Sequence, residues 1–201
     1  VVTVVVPFAG AEGKSRLHPS RRIRRALAQA MFCDVLAACV AVGETRVVTP
    51  DQDAAAAALD AGAEAVADPG GGQGPAVQAG LSGIAAGGIL VVNADVPCVV
   101  PDDLRSLLAA TPAGCVALVE ALDGTTNALS LPSAAAFAPL YGPRSSDRFR
   151  EHAASLGLEA VSVAVPNLAD DVDTMDDLAR LQLRAGPRTQ ACLVELEGSP
   201  V

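Results

Sequence analysis

The sequence predicts an α/β fold, a three-layer α/β/α sandwich on a Rossmann-like, mostly parallel sheet whose C-terminal part is mixed. Three observations carry the prediction. The chain opens on Val-Val-Thr-Val-Val-Val, a β-branched run of the kind that is buried on both faces of a parallel sheet. Short apolar runs then alternate with segments of helical spacing up to about residue 110. Glycine, proline or aspartate stands at most of the junctions.

The first strand takes residues 1–8, with Pro7 near its end. A glycine-containing loop, 9–19, leads to a helix that Ser20 is placed to cap. Its apolar positions Ile23, Leu27, Met31, Val35 and Leu36 keep helical spacing, and it ends near Gly43. Residues 46–49 read as the second strand, 51–59 as an Ala-rich helix closed by Gly62, and 64–67 as the third strand. That strand runs into Asp68-Pro69-Gly70-Gly71-Gly72-Gln73-Gly74. A helix over 75–86, a strand over 89–93 and a helix over 101–110 begun by Pro101 complete the alternating part, with right-handed crossovers expected.

Beyond Gly114 the rhythm changes. Residues 115–122 and 128–131 read as a mixed or antiparallel pair of strands about the turn 123–127. Helices are expected over 137–141 and 146–156, a last strand over 159–165 and a last helix over 175–184. This makes one domain over 1–185 and a tail, 186–201, expected to be partly disordered, with Ala191-Cys192-Leu193-Val194 able to pair as an edge strand.

The chain is 51% hydrophobic and 18% charged, enough apolar material for one sizeable core and too much for a disordered chain. Fourteen basic residues against 23 acidic give a net charge of −9, which repels nucleic-acid backbones and anionic membranes, so neither is expected as a partner. No run reaches the roughly 18–20 apolar residues of a membrane helix, and the basic start of a signal peptide is missing. Cys33, Cys39, Cys98, Cys115 and Cys192 form no C-x-x-C pair and sit in apolar stretches, as reduced thiols of a cytoplasmic protein would.

In an open parallel sheet, ligands bind beyond the carboxyl ends of the strands. After the first strand comes Gly10-Ala11-Glu12-Gly13-Lys14-Ser15-Arg16-Leu17, where glycines admit an anion to backbone N–H groups and Lys14 and Arg16 supply charge. Six of the 14 cations lie between Lys14 and Arg25. The loop departs from the P-loop motif: Phe8 stands where that motif needs a glycine, and His18-Pro19 delays the helix. A solvated basic loop is the bland alternative.

After the fourth strand, Asn93-Ala94-Asp95 places an acid at a strand end, and Asp170-Asp171-Val172-Asp173 places others after a later strand and loop. In extended backbone Asp171 and Asp173 share a face. Mg²⁺ takes six oxygens, commonly carboxylates, phosphates and water, so Asp95, Asp171 and Asp173 form a sensible metal set. Each cluster can instead be read as a helix cap with first-turn acids.

Five segments occur together in order: Lys14-Ser15-Arg16-Leu17 after a strand containing Pro7, Ala94-Asp95-Val96-Pro97, Gly124-Thr125-Thr126-Asn127-Ala128-Leu129, Gly142-Pro143-Arg144-Ser145 with Phe149 and His152, and Asp171-Val172-Asp173-Thr174-Met175-Asp176-Asp177-Leu178. In these, to about Leu181, the chain resembles the guanylyltransferases of deazaflavin coenzyme F-420 biosynthesis, which join GMP to phosphoenolpyruvate or 2-phospholactate. Where that family's glycine-rich stretch often continues Gly-Leu-Asn, this chain has Gly72-Gln73-Gly74.

The resemblance implies a MobA-like nucleotidyltransferase sandwich of the nucleotide-diphospho-sugar transferase type. It implies GTP held by the loop from Phe8 through Lys14 and Arg16 and by Gly72, Gln73 and Gly74. Mg²⁺ would sit on Asp95, Asp171 and Asp173, and the phosphate and carboxylate of a small phosphorylated acid on Thr126, Gly142 and Ser145. Lys14, Arg16 and Asp95 would carry the chemistry, and the product would pass to a downstream transferase. A homo-oligomer, cytidylyl or molybdopterin guanylyl transfer, and a non-catalytic nucleotide-binding domain remain open at this point.

Overall fold

The computed structural model describes residues 2–10, 16–18, 20–84 and 87–198. Seven strands form one sheet in the order β3-β2-β1-β4-β6-β5-β7. β1 (Val2–Pro7), β2 (Glu44–Thr49), β3 (Glu64–Ala67) and β4 (Gly88–Val92) are parallel. β6 (Thr126–Leu131) runs antiparallel to both of its neighbours, β4 and β5 (Val116–Glu120), and β7 (Ala160–Ser162) is parallel to β5. The mixed C-terminal part thus consists of one reversed strand inserted into a parallel sheet. A register shift at Val119/Glu120 bends the β5–β6 pair.

Strand alternation builds the two faces. Val4 and Val6 point to one side, with Leu90 and Val92, and are covered by α1 (Arg21–Val40), α2 (Gln52–Asp60), α4 (Pro101–Ala110) and the short α6 (Pro166–Ala169). Val5, Val91, Leu118 and Leu129 point to the other side, under α3 (Gln73–Leu81) and α5 (Ser145–Ser155). A third, smaller apolar cluster lies beyond the sheet. It joins Leu17, Leu27, Met31, Val172 and Leu178 with Leu181 of α7 (Met175–Leu181), and Cys192, Leu193 and Leu196 of α8 (Pro187–Gly198) pack on it.

Several expected elements are corrected. Residues 137–141 are not helical: Pro139 breaks the run, the only local helix is the 3-10 turn Ala134–Ala136, and Phe137 and Tyr141 pack on Phe149 instead. The strand over 159–165 shrinks to Ala160–Ser162, because Pro166 opens α6 just beyond it. The helix expected over 75–86 starts at Gln73 and ends at Leu81; residues 85 and 86 lie outside the described residues, as does Val1. The tail is neither disordered nor a strand over 187–198. It is α8, whose first N–H groups, those of Arg188 and Thr189, donate to the buried Asp34 carboxylate at 3.1 and 2.8 Å.

Candidate functional site

Chain direction places the site. From β1 the chain moves outward to β2 and β3, then returns to β4 on the other flank of β1, so the order of connection reverses between β1 and β4. Crossovers on either side of such a reversal leave a crevice at the carboxyl ends of the strands. A cavity of about 340 Å³ occupies it, lined by Phe8 and Gly10 after β1, Gly72 and Gln73 at the start of α3, and Asn93 to Asp95 after β4, with Asp173.

Phe8 lines the cavity although its ring is buried, stacking on Phe32 with centroids 4.5 Å apart. Gly70, Gly71 and Gly72 have φ of 78°, 87° and 98°, a run of left-handed geometry that only glycine adopts without strain, and it aims the first turn of α3 at the cavity. Gly74 serves packing: a Cβ there would stand 2.6 Å from Cβ of Pro139, and Gly74 does not line the cavity. Lys14 lies outside the described residues.

Asp95, Asp171 and Asp173 converge, each with a carboxylate oxygen within 4.8 Å of the others. The helix-cap alternatives are answered by other residues. The Asp103 carboxylate accepts from Val100 N–H at the start of α4, while Thr174 and Asp177 form a capping box at α7. Asp170, though adjacent, is engaged by Arg180 and Arg184 at 2.9 and 2.6 Å; burial opposes its charge, but these partners hold its carboxyl below the usual range. Asp171 is pushed up to about 6, first by burial and then by the charge of Asp95, against hydrogen bonds that favour its charged form.

The loop cation meets this cluster directly: Arg16 is ion-paired with Asp173. Leu17 and Val172, the neighbours of these two residues, are both fully buried in the third apolar cluster, which fixes the two segments against each other. Of the arginines on α1, Arg25 pairs with Asp53 on α2 at 2.8 Å, the structural role expected for most of that run.

Thr126 and Ser145 are also brought together. The Ser145 hydroxyl donates to Thr126 Oγ1 at 3.2 Å, Ser146 Oγ lies 3.0 Å from the same atom, and the Gly142 carbonyl accepts Ser145 N–H at 3.0 Å. Gly142 itself has a φ of 111°. This hydroxyl cluster is buried and does not line the cavity, but Asn93 Nδ2 donates to the Thr126 carbonyl at 3.2 Å and so ties the two together. Asn93, Asn127 and Ser146 complete these contacts, and the sequence segments that contain Asn93 and Asn127 give neither a role of its own. Asn93 stands two residues before Asp95 at a strand end, a signal available in the sequence.

The reversal crevice, the glycine-led helix and the acid cluster together define a nucleotide-handling α/β transferase. Comparison with known proteins agrees. The model of the MobA-like NTP transferase domain matches residues 15–152. A phosphoenolpyruvate guanylyltransferase of Streptomyces scabiei is 37% identical, over 96% of this chain and 96% of that protein. Those of Nocardia farcinica and Mycobacterium marinum are 34% and 36% identical, over 90% and 88% of this chain and 83% and 85% of theirs. Among solved structures, a nucleotide-diphospho-sugar transferase described as putative from Desulfovibrio desulfuricans superposes with a TM-score of 0.76 at 15% identity, covering 98% of this chain and 95% of that one. A nucleotidyl transferase from Methanothermobacter gives 0.65 at 19%, over 96% and 98%. The chain belongs to the MobA-like NTP transferase family and, within it, to the family of the phosphoenolpyruvate guanylyltransferases.

Proposed function

We propose that this chain transfers GMP from GTP to the phosphate of phosphoenolpyruvate, or of 2-phospho-L-lactate, releasing pyrophosphate in the course of deazaflavin coenzyme biosynthesis. The observation that carries the reading is the convergence of Asp95, Asp171 and Asp173 at the β1/β4 reversal, where Asp95 and Asp173 line the cavity. The name borne by the relatives supports GTP and phosphoenolpyruvate as the substrates.

The three acids offer only hard oxygen donors, the set that suits Mg²⁺, with substrate oxygens and water to complete six. When bound there, Mg²⁺ supplies charge neutralisation on the phosphates. The chain's own task is to hold two polyanions together, since each unit-charge pair at about 4 Å repels by roughly 4 kcal/mol at an effective dielectric near 20. Lys14 and Arg16 offset that repulsion on the nucleotide side. Thr126, Gly142 and Ser145 hold the phosphate and carboxylate of the acceptor, with Thr126 and Ser145 turning their hydroxyls from one another to the ligand. No general base is needed, because a phosphate monoester with a second pKa of about 6 is already ionised near neutral pH. His18 fits this account: its Nδ1 accepts from Ser20 N–H at 3.0 Å, a local structural bond. Catalysis is then positioning for in-line displacement at the α-phosphorus. The product is an activated diphosphate ester for a downstream transferase in the cytoplasm.

The test is pyrophosphate release with Mg²⁺ and GTP, offering phosphoenolpyruvate, 2-phospholactate and 3-phosphoglycerate separately. Release with phosphoenolpyruvate, reduced about a hundredfold or more in Asp95→Asn, is the expected result. Absence of release with every acceptor, repeated with CTP and ATP, would overturn the reading.

A further inference from the structure

A line of hydrogen bonds runs from the glycine-rich loop to the acid cluster, and its last member dictates its direction. Asn127 is buried, and its Nδ2 donates to the Ala169 carbonyl and to Asp171 Oδ1, each at 3.3 Å. The Ala169 carbonyl can only accept, so the Asn127 amide must present its Nδ2 on this side and its Oδ1 is left to face Asn93. Asn93 must then donate. Its Nδ2 serves Asn127 Oδ1 at 3.3 Å and the Thr126 carbonyl, a second partner that only accepts, at 3.2 Å. Asn93 Oδ1 is therefore the acceptor, and Gln73 Nε2 donates to it at 2.6 Å. Turning the Gln73 amide over would set two oxygens against each other at that distance. Its Oε1 is thus directed away from Asn93 and, among the described residues, takes no protein donor. Gln73 and Asn93 line the cavity; Asn127 does not.

We infer that Gln73 reads the guanine of the GTP assigned above as a hydrogen-bond acceptor, with Asn93 and Asn127 as the positioning residues that set this sense. The inference rests on the nucleotidyl-transfer reading above and supplies its base specificity. Guanine carries N1–H and a 2-amino group side by side on its pairing edge, two donors for one oxygen. Hypoxanthine keeps N1–H without the amine. Adenine in the same pose would set its N1 lone pair against Oε1, and its 6-amino donor lies where guanine carries O6. A polar group already oriented by its neighbours rejects a mismatched partner more strongly than one free to turn.

The experiment measures dissociation constants of GTP, ITP and ATP by calorimetry with Mg²⁺ and no acceptor, for the full chain and for Gln73→Leu and Asn127→Leu. Wild-type protein is expected to bind GTP more tightly than ITP and ITP more tightly than ATP, with at least about tenfold between the extremes. Gln73→Leu, at a half-buried position in the first turn of α3, is expected to keep the fold and to bring the three within about threefold, which decides whether this side chain discriminates among the bases. Asn127→Leu narrows the gap although this residue is not at the cavity; a merely structural role would weaken all three alike. Wild-type protein that binds none of the three overturns the transferase reading together with this one. A wild-type preference for ATP, a Gln73→Leu variant that keeps the full gap, or an Asn127→Leu variant that weakens all three equally overturns this inference and leaves nucleotidyl transfer standing.

Discussion

Asn127 donates its side-chain N–H to Asp171 at 3.3 Å, across 44 residues of sequence. The bond favours the charged form of an acid that burial and the neighbouring Asp95 charge push up to about 6. Unfolded, the same carboxyl titrates near 3.9. The folded chain therefore holds the extra proton in the interval between. The associated stability is fully present below the unfolded value and is lost as pH rises through about 6.

Asp171→Asn, which keeps an oxygen for Asn127 and removes the charge, is expected to stabilise the cation-free protein by about 2 kcal/mol at pH 8 and to leave it unchanged near pH 4. Pyrophosphate release is expected to fall sharply in the same variant. Thermal melts at the two pH values check the first part; equal shifts at both would show that the carboxyl is not destabilised by its surroundings.

Arg16 neutralises Asp173 through their ion pair, so the loop cation competes for a carboxylate of the metal set. Arg16→Ala is expected to tighten Mn²⁺ binding to the nucleotide-free chain severalfold while raising the KM for GTP. Electron paramagnetic resonance titration of free Mn²⁺ reads the first effect, and weaker Mn²⁺ binding in the variant would refute it.

Asp34 holds the start of α8 through two N–H bonds, and α8 packs on the cluster that anchors Leu17 and Val172. Asp34→Ala leaves those donors unsatisfied, at a cost of about 1–3 kcal/mol. Hydrogen exchange should speed up over α8 first and over residues 16–18 and 170–174 with it. Exchange confined to α8 would mean that the tail does not support the site.

Gly74→Ala places a methyl 2.6 Å from Cβ and 3.0 Å from Cα of Pro139. Overpacking against backbone costs about 1–3 kcal/mol, which for a chain of this size lowers Tm by roughly 2–4 °C per kcal/mol. Nucleotide affinity should fall as well, because Gln73 is the adjacent residue. A variant with unaltered melting would show that residues 137–141 yield easily.

What could be read before folding depended on how local the physics is. The convergence of Asp95 with the 171/173 pair was legible because each follows a strand or loop break and alternate carboxylates in extended backbone share a face. The alternation of β1 through α4 was legible because burial on one or two faces leaves a period in the sequence. The Asn93–Asn127 bond was not, since a side-chain pair across β4 and β6, 34 residues apart, leaves no periodic trace. α8 was missed for a related reason. Ala191-Cys192-Leu193-Val194 read alone suits a strand, whereas its helix is completed by a cap 155 residues away and by an apolar stripe extending to Leu196. Residues 137–141 misled through an apolar composition that serves an aromatic cluster, with Pro139 the overlooked signal.

β6 alone among the described strands runs against both of its sheet neighbours. The nucleotide half of the rim hangs from β1, β3 and β4, whose chain must travel through a helix before it re-enters the sheet. Thr126 and Asn127 arrive from a tight hairpin, closed by the bonds of Gly124 and Ala121, and need no such journey. A hairpin can be lengthened or exchanged without rethreading any crossover. On the reading proposed for the acceptor, the hairpin side of the site is a replaceable cartridge in a constant frame. Grafting residues 123–126 and 142–145 between family members should then transfer the choice of acceptor while leaving the choice of nucleotide behind.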